Sequence, residues 1–249
     1  MTTAFQWVRS LLFNTQMYLA MLPIGIAYAP WAIASPKGAF AACHAYCRWV
    51  RWTARWMIGL QTEVRGTPPT DEVIIAAKHQ SFLDIIMIYN SVPAGKFIMK
   101  KELIWAPILG QYALRIGCVP VDRGKRGAAI KKMVADVKAG RANPGQLIIF
   151  PQGTRVAAGV KAKYKIGTAA LYQDSGQACV PVAANVGVFW GRRGILRQPG
   201  IAVVEFLPHI PAGLSTEDFM VRLESVIETR SDALMTEAGF TPRLSDART

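Results

Sequence analysis

The sequence predicts an α/β protein: a mixed, largely buried sheet flanked by helices and preceded by a two-segment helical membrane anchor. Three observations predict it. Beyond residue 66, short β-rich apolar runs alternate with helical stretches, the pattern of a sheet covered by helices. Ahead of that point, a charge-free apolar run is followed by a stretch patterned in tryptophan and arginine. The composition suits both parts: 51% of the 249 residues are apolar and 18% charged, with 29 Lys and Arg against 16 Asp and Glu, a net charge of +13. That apolar content excludes a disordered chain, and an ordinary soluble domain carries roughly a quarter charged residues. A chain both basic and greasy fits an anionic surface next to an apolar phase.

The anchor unit covers residues 1–61 and a second domain covers 62–249. From Leu11 to Pro36 there is no charged residue. Its most apolar part, Met17 to Ala34, spans about 27 Å as a helix, close to the roughly 30 Å of a bilayer core. Pro23 and Pro30 each remove a backbone donor and kink it, so a full span and a re-entrant segment both fit. Ala32-Ile33-Ala34 looks like a signal-peptide cleavage site, but the flank carries one basic residue, Arg9, and the run is long for an h-region. Over Ala39–Leu60, Trp49, Trp52 and Trp56 recur at i, i+3 and i+7, and Arg48, Arg51 and Arg55 repeat that spacing one residue earlier, about 100° around a helix. Indoles beside guanidinium groups suit a helix at the headgroup level; a core helix with solvated arginines is the alternative. Lys37, Arg48, Arg51 and Arg55 against Arg9 place the later side in the cytoplasm, as in an inner-membrane protein with its second domain on the cytoplasmic face.

Gly66–Thr70 is a loop. After it the predicted strands are Val73–Ala77, Lys96–Met99, Cys118–Val121, Gln146–Phe150, Val180–Val188 and Ile201–Phe206, and the predicted helices Ser81–Asn90, Lys101–Arg115, Gly127–Lys138, Lys165–Ser175 and Thr216–Thr236. Four cysteines (Cys43, Cys47, Cys118, Cys179) are too few and too scattered for a disulfide framework, which fits a reducing compartment. With no C-x-x-C pair and three histidines, no metal site is expected.

Four segments carry candidate chemistry. Lys78-His79-Gln80-Ser81-Phe82-Leu83-Asp84 follows the apolar run VIIAA, at the carboxyl end of a strand, where α/β proteins place reacting groups. Five residues apart on one helix, His79 and Asp84 diverge by about 140°. They meet only with His79 in the loop and Asp84 in the first turn, as Ser81 at the N-cap allows. Asp84 as a plain first-turn acid, with His79 a structural histidine, is the bland reading. Gly117 to Arg126 runs from a strand into a glycine-containing loop with three cations. Phe150-Pro151-Gln152-Gly153-Thr154-Arg155 follows the strand LIIF and offers a tight turn, a hydroxyl and a guanidinium fork, the parts of a phosphate clamp. A solvated turn whose arginine pairs with a carboxylate is equally compatible with that hexapeptide. Cys179 to Asn185 reads as core strand.

In this order, HQSFLD, GCVPVDR, FPQGTR and VPVAAN resemble the four signature blocks of the glycerolipid acyltransferases, in the branch of the bacterial 1-acyl-sn-glycerol-3-phosphate (lysophosphatidic acid) acyltransferases. The resemblance covers about residues 65 to 210. It implies transfer of a fatty acyl group from acyl-CoA or acyl carrier protein to the sn-2 hydroxyl of lysophosphatidic acid, giving phosphatidic acid at an anionic phospholipid membrane, without cofactor or metal. It implies His79 as general base, a task that suits the imidazole near neutral pH, with Asp84 holding the ring as in a Ser-His-Asp triad. The acceptor's phosphate then falls to Arg155 first, then Arg123 and Lys100, with Gly153 and Thr154 in the same loop; Lys100 lies in MKKEL, similar to the family's K-x-E-L segment. Lys161, Lys163 and Lys165 read as a basic outer surface. An apolar groove, with Phe82–Asn90 and Trp105–Tyr112 as its chain-length ruler, must open toward the bilayer. The usual third block has Glu where this chain has Gln152, which leaves open another acceptor, glycerol-3-phosphate or a lyso-aminolipid. The rival class is a non-enzymatic basic membrane-surface protein. Nucleic acid is not an expected partner, because the tryptophans sit in the apolar amino-terminal part rather than in a basic groove.

Overall fold

The computed structural model describes residues 3–121, 128, 135 and 145–241. Among them, seven strands form one sheet: β1 (Leu60–Arg65), β2 (Ile74–Ala77), β3 (Lys96–Lys100), β4 (Val119–Val121), β5 (Leu147–Ile149), β6 (Cys179–Ala184) and β7 (Gly200–Phe206). Their order is β1-β7-β6-β2-β5-β3-β4. Neighbours are parallel except β6 and β7, which are antiparallel. The sheet is therefore mixed and flanked by helices, as expected. Every residue of β2 and β6 is buried, so these central strands read as continuous apolar runs.

Period-two alternation divides the core between the two faces. Ile75, Ala77, Val180 and Val182 pack against α3 (Pro36–Met57) and α4 (Leu83–Ser91) through Val50, Ala54, Met87 and Ile88. On the other face Ile74, Ala76, Leu147 and Ile149 meet α6 (Gly167–Ser175) and α7 (Thr216–Glu237) through Leu171, Tyr172, Phe219 and Ile227. Ser215 caps α7 by accepting the Asp218 N–H at 3.0 Å, with Glu217 and Asp218 in its first turn complementing the helix dipole.

Some boundaries differ from expectation. The β1 strand was not predicted: four of the six residues of LQTEVR are polar, and its pairing comes from β7, well over a hundred residues away. Residues 101–115 do not make one helix. A 3-10 turn, Lys101–Trp105, is followed by α5 (Leu109–Arg115), because Pro107 lacks the N–H a continuous helix needs and Ile108 takes φ +63°. Val180–Val188 is not all strand: β6 ends at Ala184 and Val186–Val188 is a 3-10 turn, with the Gly187 N–H donating to Gln80 Oε1 at 3.0 Å. The predicted helix Gly127–Lys138 lies outside the described residues.

The amino-terminal segments are helical. The stretch Thr3–Ala34 is long and apolar enough to cross a membrane, by length and composition. It comprises α1 (Thr3–Leu19) and α2 (Met21–Ala34), joined at Ala20. In α1, Gln6, Ser10, Phe13 and Met17 form a buried face against the body, while α2 buries little besides Gly25 and Ala32. Gln6 Nε2 donates to the carbonyls of Ile58 (3.1 Å) and Arg197 (2.8 Å), which ties α1 to the α/β unit. In α3, Trp49, Trp52 and Trp56 are 40%, 55% and 56% exposed and touch ring to ring at 5.4 Å between successive centroids. The core-helix alternative for this stripe is therefore wrong. Arg48 and Arg55 share the exposed side, but Arg51 turns inward and donates to Thr62 Oγ1 and Asn90 Oδ1, both at 2.9 Å.

Candidate active site

Four neighbouring parallel strands, β2, β5, β3 and β4, end at one edge of the sheet, and the candidate segments sit at those ends. His79 follows β2, Phe150–Arg155 follows β5, Lys100 ends β3, and Arg123 follows β4 but lies outside the described residues. The fourth segment plays a structural part. Asn185, at the end of β6, donates from Nδ2 to the Leu234 carbonyl at 3.2 Å and accepts the Val203 N–H at 2.7 Å.

His79 stands in the loop and Asp84 in the first turn of α4. His79 Nδ1 lies 3.0 Å from Asp84 Oδ1. The other carboxylate oxygen, Oδ2, accepts the backbone N–H groups of Gln80 and Ser81, each at 2.7 Å. Asp84 is fully buried. A carboxylate only accepts, so Nδ1 carries the proton and Nε2 is the basic ring nitrogen. Ser81 and Asp84 share the work of a capping box, for Ser81 Oγ accepts the Leu83 N–H at 3.2 Å while Asp84 reaches back to Ser81.

The imidazole is held from several sides. It stacks on Phe150 at 3.9 Å between centroids and 21° between planes, and Phe97 stacks behind Phe150. The His79 carbonyl accepts the Val156 N–H at 2.8 Å, and its own N–H donates to Gln152 Oε1 at 3.2 Å. Gln152 is thus buried beneath the histidine loop and does not line the open space. The side chain of His79 is 12% exposed, and the ring borders an apolar cavity of about 750 Å³, within the size range of small-molecule sites. The cavity runs from His79 between Phe82, just before α4, with Ile86 and Tyr89 of that helix, and Ile108 and Tyr112 of the α5 region toward Gly25 of α2.

Gly153, Arg155 and Lys165 line the cavity, as do Thr168 and Asp174 of α6. Gly153 adopts φ +69°, a left-handed conformation that favours glycine, and the Lys165 side chain lies against it, 2.8 Å from where a Cβ would stand. Thr154 and Arg155 are exposed at the rim, and Thr154 Oγ1 accepts from Arg192 Nη2 at 3.2 Å. Lys165 is exposed, as are Lys161 and Lys163, and it also borders the cavity: its backbone N–H donates to the Pro151 carbonyl at 2.9 Å, which folds it back over the loop. Arg192 was missed altogether, since nothing in GRRG links it to a loop 38 residues earlier. The cysteines are poor nucleophiles here, because burial pushes Cys118 up to about 11 and Cys179 up to about 12.

Comparison with known proteins agrees with this architecture. A family model described as acyltransferase matches residues 61–185. The chain is 28% identical over 169 residues to the 1-acyl-sn-glycerol-3-phosphate acyltransferase of Pseudomonas aeruginosa, covering 67% of this chain and 66% of that protein. It is 31% identical over 170 residues to the enzyme of that name from Limnanthes alba, covering 67% of this chain and 59% of that one. The match thus spans a little under two thirds of the length of these curated relatives. The crystal structure of the 1-acyl-sn-glycerophosphate (LPA) acyltransferase from Thermotoga maritima shares the fold, with a TM-score of 0.79 at 21% identity over 95% of this chain and 99% of that one. The matched segment opens in β1, runs through the histidine loop and the Gly153 turn, and closes at Asn185, and on that match the chain belongs to the acyltransferase family.

Proposed function

We propose that this acyltransferase moves a fatty acyl group from an acyl thioester, acyl-CoA or acyl carrier protein, to the sn-2 hydroxyl of 1-acyl-glycerol-3-phosphate, giving phosphatidic acid. The observation that carries the reading is the His79–Asp84 pair, 3.0 Å apart, with the histidine on an apolar cavity that Arg155, Lys165 and Asp174 also line. An aliphatic hydroxyl attacks a thioester effectively only if its proton leaves as the new C–O bond forms. His79 Nε2 accepts that proton, and Asp84 holds the tautomer and stabilises the imidazolium. Collapse of the tetrahedral intermediate breaks the C–S bond, and the imidazolium returns the proton to the departing thiolate. The substrate's own hydroxyl takes the place of a serine, so no covalent acyl-enzyme is needed.

Arg155 and Lys165, with Thr154 and the backbone at Gly153, hold the acceptor's phosphate, and Arg192 braces the threonine. Lys100 and Arg123 are assigned to the same phosphate by the motif resemblance, Arg123 lying outside the described residues. The cavity takes acyl chain, with α4 and the Trp105–Tyr112 segment as its ruler. Gln152 accepts a backbone hydrogen bond that a glutamate at its position could equally accept, so the departure from the usual third block is compatible with the same reaction. The exposed apolar surface of α2 and the tryptophan stripe of α3 support a seat at an anionic inner-membrane surface, with residues 62–249 as the catalytic domain on the cytoplasmic side. The test is a mass-spectrometric screen of acceptors (lysophosphatidic acid, glycerol-3-phosphate, a lyso-aminolipid) against one labelled acyl thioester, with His79→Ala as control. Phosphatidic acid from the wild type and none from the folded variant is the expected result. Full turnover by His79→Ala removes the dyad, and product from another acceptor alone removes the assigned substrate.

A further inference from the structure

We propose that Glu228 of α7 is a positioning residue for His79, acting through Lys78 on the face of the sheet opposite to the histidine, where neither residue lines the cavity. Alternation along β2 puts Ile75, Ala77 and His79 on one face and Ile74, Ala76 and Lys78 on the other. A lysine there points into an apolar layer, and Lys78 is 2% exposed. Its Nζ lies 2.7 and 2.6 Å from the two oxygens of Glu228, and Glu228 Oε1 also accepts the Tyr164 hydroxyl at 2.8 Å. Burial beside that carboxylate pushes the Tyr164 hydroxyl up, so it stays a donor.

The same face of α7 holds the neighbouring backbone. Ser231 Oγ accepts the Ala184 N–H at 3.2 Å, the Leu234 carbonyl accepts from Asn185, and Met235 Sδ accepts from Gln80 Nε2 at 3.4 Å. Gln80 then donates its backbone N–H to Asp84. Lys78 and Gln80, on either side of the histidine, are both tied to α7, while His79 faces the cavity. The helix lies beyond the matched segment 61–185, so the brace comes from a part of the chain that the family model does not include. A buried ion pair is weak evidence for stability, since apolar replacements of the whole pair are often neutral. What a paired ammonium does supply is a fixed position for the backbone that carries it, and a displacement of about 1 Å at a reacting group costs up to about 100-fold in rate.

This inference rests on the His79–Asp84 reading. The test compares the full-length wild type, Lys78→Met/Glu228→Met, Tyr164→Phe and His79→Ala in detergent micelles. Readouts are Tm, kcat, KM for both substrates, and the rate at which diethyl pyrocarbonate modifies His79, followed by peptide mass spectrometry. The double variant removes both charges together but also leaves the buried Tyr164 hydroxyl without its acceptor, so its Tm is expected to fall; both KM values stay, kcat falls about 10- to 100-fold and His79 modification accelerates. A folded double variant with wild-type kcat and wild-type modification rate overturns the proposal. If the double variant does not fold, Tyr164→Phe decides: a kcat fall of about threefold with faster modification supports the brace, and no change in either overturns it. Wild-type turnover by His79→Ala overturns both readings. A wild type without acyl transfer overturns only the reaction, and equal His79 modification rates in wild type and double variant then overturn the brace.

Discussion

Replacing Asp84 with asparagine changes one atom of the carboxylate, and the consequence follows from the hydrogen bonds that Asp84 makes. Oδ2 accepts two backbone N–H groups, from Gln80 and Ser81, at 2.7 Å each, whereas Oδ1 faces only His79 Nδ1 at 3.0 Å. An amide placed with its NH2 toward the two N–H groups loses two good bonds and sets donor against donor in a fully buried position. The oxygen of the new amide therefore stays with the backbone and its NH2 turns to the histidine. Nδ1 must then accept, so the ring proton moves to Nε2, the nitrogen that has to take the substrate's proton. A wrong-tautomer lesion of this kind costs about 10⁴-fold in kcat in the serine-protease triad, which corresponds to about 5.4 kcal/mol of barrier at about 1.36 kcal/mol per tenfold. The α4 start keeps its backbone bonds, so KM and Tm are expected to stay near the wild-type values. The assay is thiol release from an acyl thioester with lysophosphatidic acid saturating, alongside a melting curve. A folded Asp84→Asn protein within tenfold of the wild-type kcat refutes the assignment of Asp84 as the group that sets the tautomer.

Other expectations concern the surroundings of the pair. Arg155→Ala is expected to raise KM for the phosphate-bearing acceptor at least tenfold more than KM for the thioester, and equal effects on both would mark Arg155 as structural. Gln152→Leu leaves the His79 N–H without its acceptor, so a loss of about 1–3 kcal/mol of stability is expected in a denaturant titration; an unchanged midpoint would contradict that bond. Changing Trp49, Trp52 and Trp56 together to serine removes exposed rings and the exposed hydrogen bond from Trp49 Nε1 to Gln16 Oε1, so binding to vesicles containing phosphatidylglycerol should weaken at least tenfold, with a stability loss of about 1 kcal/mol. Unchanged sedimentation with vesicles would locate the membrane contact elsewhere. Cys118→Ala and Cys179→Ala are expected to keep acyl transfer within about threefold, because protonated buried thiols serve as packing; abolition of turnover by either would restore a cysteine nucleophile.

What could be read in the residue order was whatever depends on short-range pattern. Short apolar runs located β2 to β7 to within a few residues, and Pro and Gly punctuated the turns between them. The His79–Asp84 meeting was also legible, because a five-residue spacing across a strand-to-helix junction permits one arrangement in which the side chains touch. Register and approach across the sheet were not. β1 pairs with β7, Lys165 folds over Gly153, Arg192 reaches Thr154, and Glu228 meets Lys78 from 150 residues away. None of these leaves a local trace, since each depends on which strand lies beside which and how the chain returns. Gln152 makes the difference plain: as a letter in a motif it stood among groups facing the substrate, but it packs under the histidine loop, where its side chain holds the His79 backbone. Local sequence determined which groups are available for chemistry, and the closing of the sheet decided which of them share one dielectric and one cavity.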